Sequence, residues 1–180
     1  PESPGSFGPE QTLEAALKRD SHRETIRQAA LGALSRHKDL KSIEILLGWT
    51  TPDRPRRCRM AAIAGLGQRV TRAGTPDSAM ARVVKVLTEL LGARGPRIRG
   101  AALQAMRRLG NSAKAAEEVV ASLAEHDPEG RVRVAARAAL KALQQEKTAS
   151  AELDRLRGEL DSLKKRNQDL ADRLKKLEAK

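Results

Sequence analysis

The chain has 180 residues, with 35 Lys and Arg against 23 Asp and Glu, one Cys, one Trp, one Phe and no Tyr. One cysteine forms no internal disulfide, and no apolar run approaches the roughly 20 residues of a membrane-spanning helix. With so few aromatics the core must be built from Ala, Leu and Val, and a composition rich in Ala, Leu, Arg, Lys, Glu and Gln favours helix.

Residues 1–8 (PESPGSFG) read as a flexible lead-in, and an opening at Pro1 reads as a processed chain or a fragment. A helix is predicted from Pro9 to about Asp20, with Leu13, Ala16 and Leu17 on one face, and a second over about 22–36. A third spans about 39–50 with Ile43, Leu46 and Leu47 inward, followed by the TTPDRP turn and a helix over 55–69. Thr75 and Pro76 form a predicted cap and first turn for a helix in which Met80, Val83, Val84, Leu87 and Leu91 keep a 3.6-residue period. Gly92 to Pro96 turns the chain into the next helix. A further helix runs from Ser112 through Val119, Val120 and Leu123 to Asp127, and its successor to about Leu143.

One short pattern recurs four times: IRQAALGAL from Ile26, CRMAAIAGL from Cys58, IRGAALQAM from Ile98 and VRVAARAAL from Val132. Each copy has an apolar residue, then an arginine (Arg27, Arg59, Arg99, Arg133), then two alanines two residues later, and the starts lie 32, 40 and 34 residues apart. Self-similarity at this period marks stacked helix pairs, each burying its apolar face against its neighbours. Ala29, Ala61, Ala101 and Ala135 are expected to let neighbouring helices approach closely. Cys58 occupies an apolar position of the pattern and reads as a small buried hydrophobe.

Asp20, Asp53 and Asp127 precede three of the pattern helices, where an aspartate caps free N–H groups and suits the helix dipole. This arrangement resembles the HEAT family of repeats over residues 9–145. The resemblance implies an all-α solenoid of about four helix pairs, with bonds between repeats joining Asp20, Asp53 and Asp127 to Arg27, Arg59, Arg99 and Arg133. Direct contact of these arginines with a ligand is the alternative.

The charge is unevenly spread. Residues 54–109 carry 13 Lys and Arg against 2 Asp and Glu, and the flanking segments are near neutral. Arg54, Arg56, Arg57, Arg94 and Arg97 thereby form a candidate patch for an anionic partner.

From Leu153 the period changes to seven. Leu153, Leu160, Asn167 and Leu174 alternate with Leu156, Leu163, Leu170 and Leu177. This unbroken seam predicts a coiled-coil helix over residues 148–180, after the repeats of 9–147. A lone Asn167 on the seam favours a parallel pair, and the facing charges (Glu152 with Arg157, Glu159 with Lys164, Arg173 with Glu178) agree. A tail packed back on its own repeats is the alternative.

Catalytic motifs are not found. His22, His37 and His126 lie far apart and no HExxH, Walker loop, GxGxxG or GxSxG occurs, so no catalytic or metal residue is assigned and no cofactor is expected in this chain. Three segments carry a narrower resemblance: DSHRETIRQAALGAL, ILLGWTTPDRPRRCRMAAIAGLG and DPEGRVRVAARAALKAL, in that order before the leucine-heptad tail. Together they resemble the C-terminal helical region of bacterial zinc aminopeptidases of the aminopeptidase N (gluzincin) family. That resemblance implies a parent with an upstream zinc-bearing catalytic domain, which this region covers or supports. Three functions are therefore weighed: a non-catalytic accessory and oligomerisation module of such an enzyme, a scaffold binding an acidic protein, and a basic nucleic-acid-binding solenoid. The sequence assigns no compartment.

Overall fold

A computed structural model of the chain describes the backbone of residues 9–178 except Ala73. It describes side chains over residues 11–145, Ala73 again excepted, and beyond them at Leu156, Glu159, Leu160, residues 162–166 and Gln168. All regular structure among these residues is helical. The α-helices are α1 (Pro9–Leu17), α2 (Thr25–Leu34), α3 (Lys41–Gly48), α4 (Arg56–Arg69), α5 (Asp77–Leu91), α6 (Pro96–Leu109), α7 (Glu117–His126) and α8 (Gly130–Glu178), with 3-10 turns at His22–Glu24 and Gly110–Ala116. The chain divides after Leu143 into two units, and α8 runs without interruption through that point.

In the first unit the even-numbered helices are neighbours in order, α2 beside α4 and α4 beside α6. Each also packs on the odd-numbered helix before it, α1 on α2, α3 on α4 and α5 on α6, and α5 touches both α3 and α7. One continuous core lies between them. Leu31, Leu34, Leu46, Ile63, Leu66, Leu87, Leu103 and Met106 are fully enclosed in it. Each buried leucine-sized side chain stabilises by about 1.5–3 kcal/mol. Cys58 is fully buried, as its place in the pattern predicts, and burial raises its thiol pKa.

The two alanines of the pattern separate. The second of each pair, Ala30, Ala62, Ala102 and Ala136, is the one in the core. The first is not: Ala29 is exposed, and Ala61, Ala101 and Ala135 are half-buried. Successive helical residues lie about 100° apart, so the pair straddles the edge of the apolar stripe. A close approach of two helices is made instead at Gly67. A Cβ there would stand 2.9 Å from both Cα and Cβ of Ala105 on α6.

Several ends differ from the sequence reading. The helix expected over 22–36 starts at Thr25, because Arg23 and Glu24 hold left-handed backbone (φ 55° and 61°). Thr75 does not cap α5. Its hydroxyl bonds back to the Arg72 carbonyl and accepts from Arg69. The stretch after Ser112 is a 3-10 turn with a break at Ala113 before α7 begins, and Val119 is exposed while Val120 is buried. Gly110 (φ 54°) ends α6 in a backbone conformation that other residues rarely adopt. The helix read to about Leu143 continues to Glu178.

Candidate binding surface

The four pattern arginines share a role that the sequence reading did not assign. Each reaches back to a carbonyl where the preceding odd-numbered helix ends. Arg27 Nε donates to the Leu17 carbonyl (2.9 Å), Arg59 Nε to Thr50 (2.9 Å), Arg99 Nη1 to Ala93 (2.9 Å) and Arg133 Nη1 to Asp127 (2.6 Å). Carbonyls at a helix C-terminus lack helical donors and carry the negative end of the dipole, so a guanidinium satisfies both.

The expected bonds to Asp20, Asp53 and Asp127 are fewer. Arg99 and Asp127 form the pair between repeats, a two-pronged bond of 2.7 and 2.8 Å with the carboxylate almost fully buried. Asp127 also accepts the Glu129 N–H at 2.9 Å, a bond in the turn just before α8 rather than a cap on the free N–H groups of its first turn. Arg27 pairs with Asp20 and, at 2.7 Å, with Glu24, inside one repeat. Asp53 meets only the side chain of Arg54, at 3.4 Å, among the ion pairs of the described residues, and Arg59 binds no carboxylate among them. The TTPDRP turn is long enough to carry Asp53 to the surface, where its side chain is 69 % exposed.

A further buried cation escaped the sequence reading altogether. Arg69, 2 % exposed, donates to Ser42 Oγ, Thr75 Oγ1 and the Lys38 carbonyl. It ties the end of α4 to the turn before α3. Only its place at the end of an apolar stripe could have marked it.

The basic patch is partly spent on structure. Arg54 lies over the Trp49 ring, 4.6 Å from its centroid, with Arg27 at 6.0 Å. That ring packs at the end of α3 with a guanidinium on its face. Arg56, Arg57, Arg94 and Arg97 are exposed. A fifth arginine joins them from outside the basic segment. Arg131 occupies the position of Arg57 and Arg97, immediately before the first apolar residue of the pattern, and all three are exposed and free of salt bridges among the described residues. Aligning the repeats column by column would have found it. Each stands in the first turn of its helix, where the dipole disfavours a cation.

Between α4, α6 and the start of α8 lies an open groove of about 510 Å³. Met60, Gly100, Ala101, Val132 and Ala135 line it together with Arg97 and Arg131. No three His, Cys, Asp or Glu side chains among the described residues converge on a metal-sized site. No described helix is long and apolar enough to cross a membrane.

Fold and surface together define an all-helical protein that presents the exposed sides of packed helices. No family model matches the chain, and no curated protein matches it. Among solved structures, the crystal structure of an engineered protein is similar, with a TM-score of 0.54 and 17 % sequence identity. The match covers 76 % of this chain and 63 % of that one. At such identity the likeness concerns the helical fold alone.

Proposed function

We propose that this chain is a non-catalytic α-α solenoid module that holds an acidic protein partner on its even-numbered helices and pairs with a second copy through its tail. The observation that supports it best is the repetition itself. The same arginine-to-carbonyl bond and the same buried second alanine recur in all four helix pairs. A fold that repeats one unit side by side exposes one helix face per unit, and those faces add up to an extended surface for a partner. A HEAT-type architecture fits this reading. A place beside an upstream zinc aminopeptidase domain is the narrower form of it, and rests on the sequence resemblance alone.

The tail supplies the pairing. Leu156, Leu160 and Leu163 are 52 %, 51 % and 58 % exposed on the single chain. They fall on the seven-residue seam, whose other members, Leu153, Asn167, Leu170, Leu174 and Leu177, lie outside the described side chains. An apolar stripe of this spacing on a helix is covered by a like stripe, and a parallel partner sets Asn167 opposite Asn167.

Sedimentation tests it. The wild-type chain is expected to be a dimer at micromolar concentration, and Leu163→Asp with Leu170→Asp a monomer whose repeats stay folded. Asn167→Leu is expected to raise the melting temperature and to mix oligomeric states, because the buried amide penalises registers that leave it unpaired. A wild-type chain that stays monomeric at high micromolar concentration rejects the pairing.

A further inference from the structure

We propose that the groove over α4, α6 and the start of α8 docks an acidic peptide segment of a partner protein, held extended with a carboxylate at every third residue. The inference rests on the module reading above and specifies its ligand. Three observations carry it.

The first is the floor. Met60, Gly100, Ala101, Val132 and Ala135 are among the apolar residues lining the groove, most of them small and none aromatic. Space above Gly100 is open, with nothing within 4 Å of a Cβ built there. A peptide backbone carrying small side chains fits such a floor, whereas a large aromatic anchor finds no pocket. The second is the charge. Arg97 and Arg131 line the groove, and Arg57 lies one turn before Ala61 on the same face of α4 as Met60 and Ala64. Their guanidinia are exposed and form no salt bridge among the described residues, and Glu129 is the single carboxylate in the lining. The surface therefore carries an excess of positive charge that selects an acidic partner.

The third is the spacing. Arg57, Arg97 and Arg131 occupy one pattern position on successive even-numbered helices. Packed helices lie about 8–10 Å apart, so the row repeats at about that interval. A polyproline II chain rises about 3.1 Å per residue with three residues per turn, so every third side chain points the same way about 9 Å further on. A carboxylate at every third residue thus meets the arginines one after another, and proline or alanine between them rests on the small-residue floor.

The experiment uses the full chain and a fluorescein-labelled peptide of four Glu-Pro-Ala triplets, followed by anisotropy at fixed ionic strength. A peptide of the same composition with its glutamates clustered at one end controls for net charge. The spaced peptide is expected to bind about fivefold more tightly than the clustered one. Arg97→Gln with Arg131→Gln is expected to weaken it about tenfold. Gly100→Phe, which leaves the charge unchanged and whose Cβ has no atom within 4 Å, is expected to do the same by filling the groove. Lys85→Gln with Lys114→Gln removes as much charge from exposed positions outside the groove lining and should stay within about twofold of wild type.

Equal weakening by that control pair overturns the proposal, because binding is then diffuse. So does a Gly100→Phe chain that binds like wild type. A thymidine dodecamer that binds more tightly than the peptide, and is indifferent to Gly100→Phe, overturns it in favour of a nucleic acid. Peptide binding that survives both groove variants overturns the groove and leaves the module reading intact. A failure of the wild type to bind either peptide overturns both.

Discussion

Replacing Asp127 with alanine is expected to destabilise the first unit by about 3–5 kcal/mol, the usual cost of removing one partner from a buried ion pair. Arg99 would keep its bonds to the Ala93 and Arg94 carbonyls, but its Nε and Nη2 would face an apolar gap. The Glu129 N–H would lose its acceptor at the start of α8. For a chain of this size the melting temperature should fall by roughly 6–20 °C. Asp127→Asn keeps an oxygen for the Glu129 amide and should cost less. Thermal melts of the two variants check the order, and equal stability of Asp127→Ala and wild type would reject the role given to the pair.

The same pair sets an acid limit. The hydrogen bond from Arg99 holds the Asp127 carboxyl below the usual carboxylate range, against the opposing effect of burial and with help from the Glu129 amide. The folded value thus lies below the unfolded value of about 3.9. The stabilisation is complete above that value and is lost as pH falls through the lower, folded one. Urea midpoints of wild type and Asp127→Ala should therefore differ most near neutrality and converge on acidification below pH of about 4. A gap that stays constant down to acid pH would show that the carboxylate charge contributes nothing.

Gly67→Ala should destabilise by about 1–3 kcal/mol, although alanine is the better helix former. The new methyl would stand 2.9 Å from the Cα of Ala105, and backbone on the facing helix yields only if α4 and α6 move apart. Both helices contribute to the core, so the packing around Leu66, Leu103 and Met106 would loosen. Gly100→Ala serves as the opposite case. It is the same substitution in the interior of α6 with open space above it, and it should stabilise by about 0.4–1 kcal/mol through helix propensity and the unfolded chain. Chemical denaturation of both variants measures the two signs. A stable Gly67→Ala would mean that the α4–α6 contact is looser than described.

Six of the eight α-helices of the described residues were legible within a few residues of their ends, because the 3.6-residue recurrence of Leu, Ile, Val and Met is a local property of the chain. Met80, Val83, Val84, Leu87 and Leu91 show it for α5. Two cases differ: α7 was displaced because the 3-10 turn before it carries three Ala and a Lys, residues that read as helix in isolation, and α8 was read as ending near Leu143 although it runs on to Glu178. Of the candidate surface, Arg57 and Arg97 were legible as part of the basic segment. Arg131 was not, since net charge is counted along the sequence and Arg131 lies in a neutral stretch.

Sequence by itself determined that this chain is helical, that it repeats one pattern four times, and that its last 33 residues follow a seven-residue leucine seam. All three are statements about period, and period is set by neighbours along one helix. Tertiary structure alone decided what the conserved positions of the pattern do. It left the first alanine exposed or half-buried at the edge of the core and sent the second into it, and turned each arginine onto the end of the helix before it. It joined Arg99 to Asp127 across 28 residues, and set Arg97 and Arg131 in one groove. The physical reason is that an amphipathic helix fixes only which stripe turns inward. Which partner a residue at the edge of that stripe meets depends on how the next helix crosses it, and that is settled by packing between segments far apart in the chain.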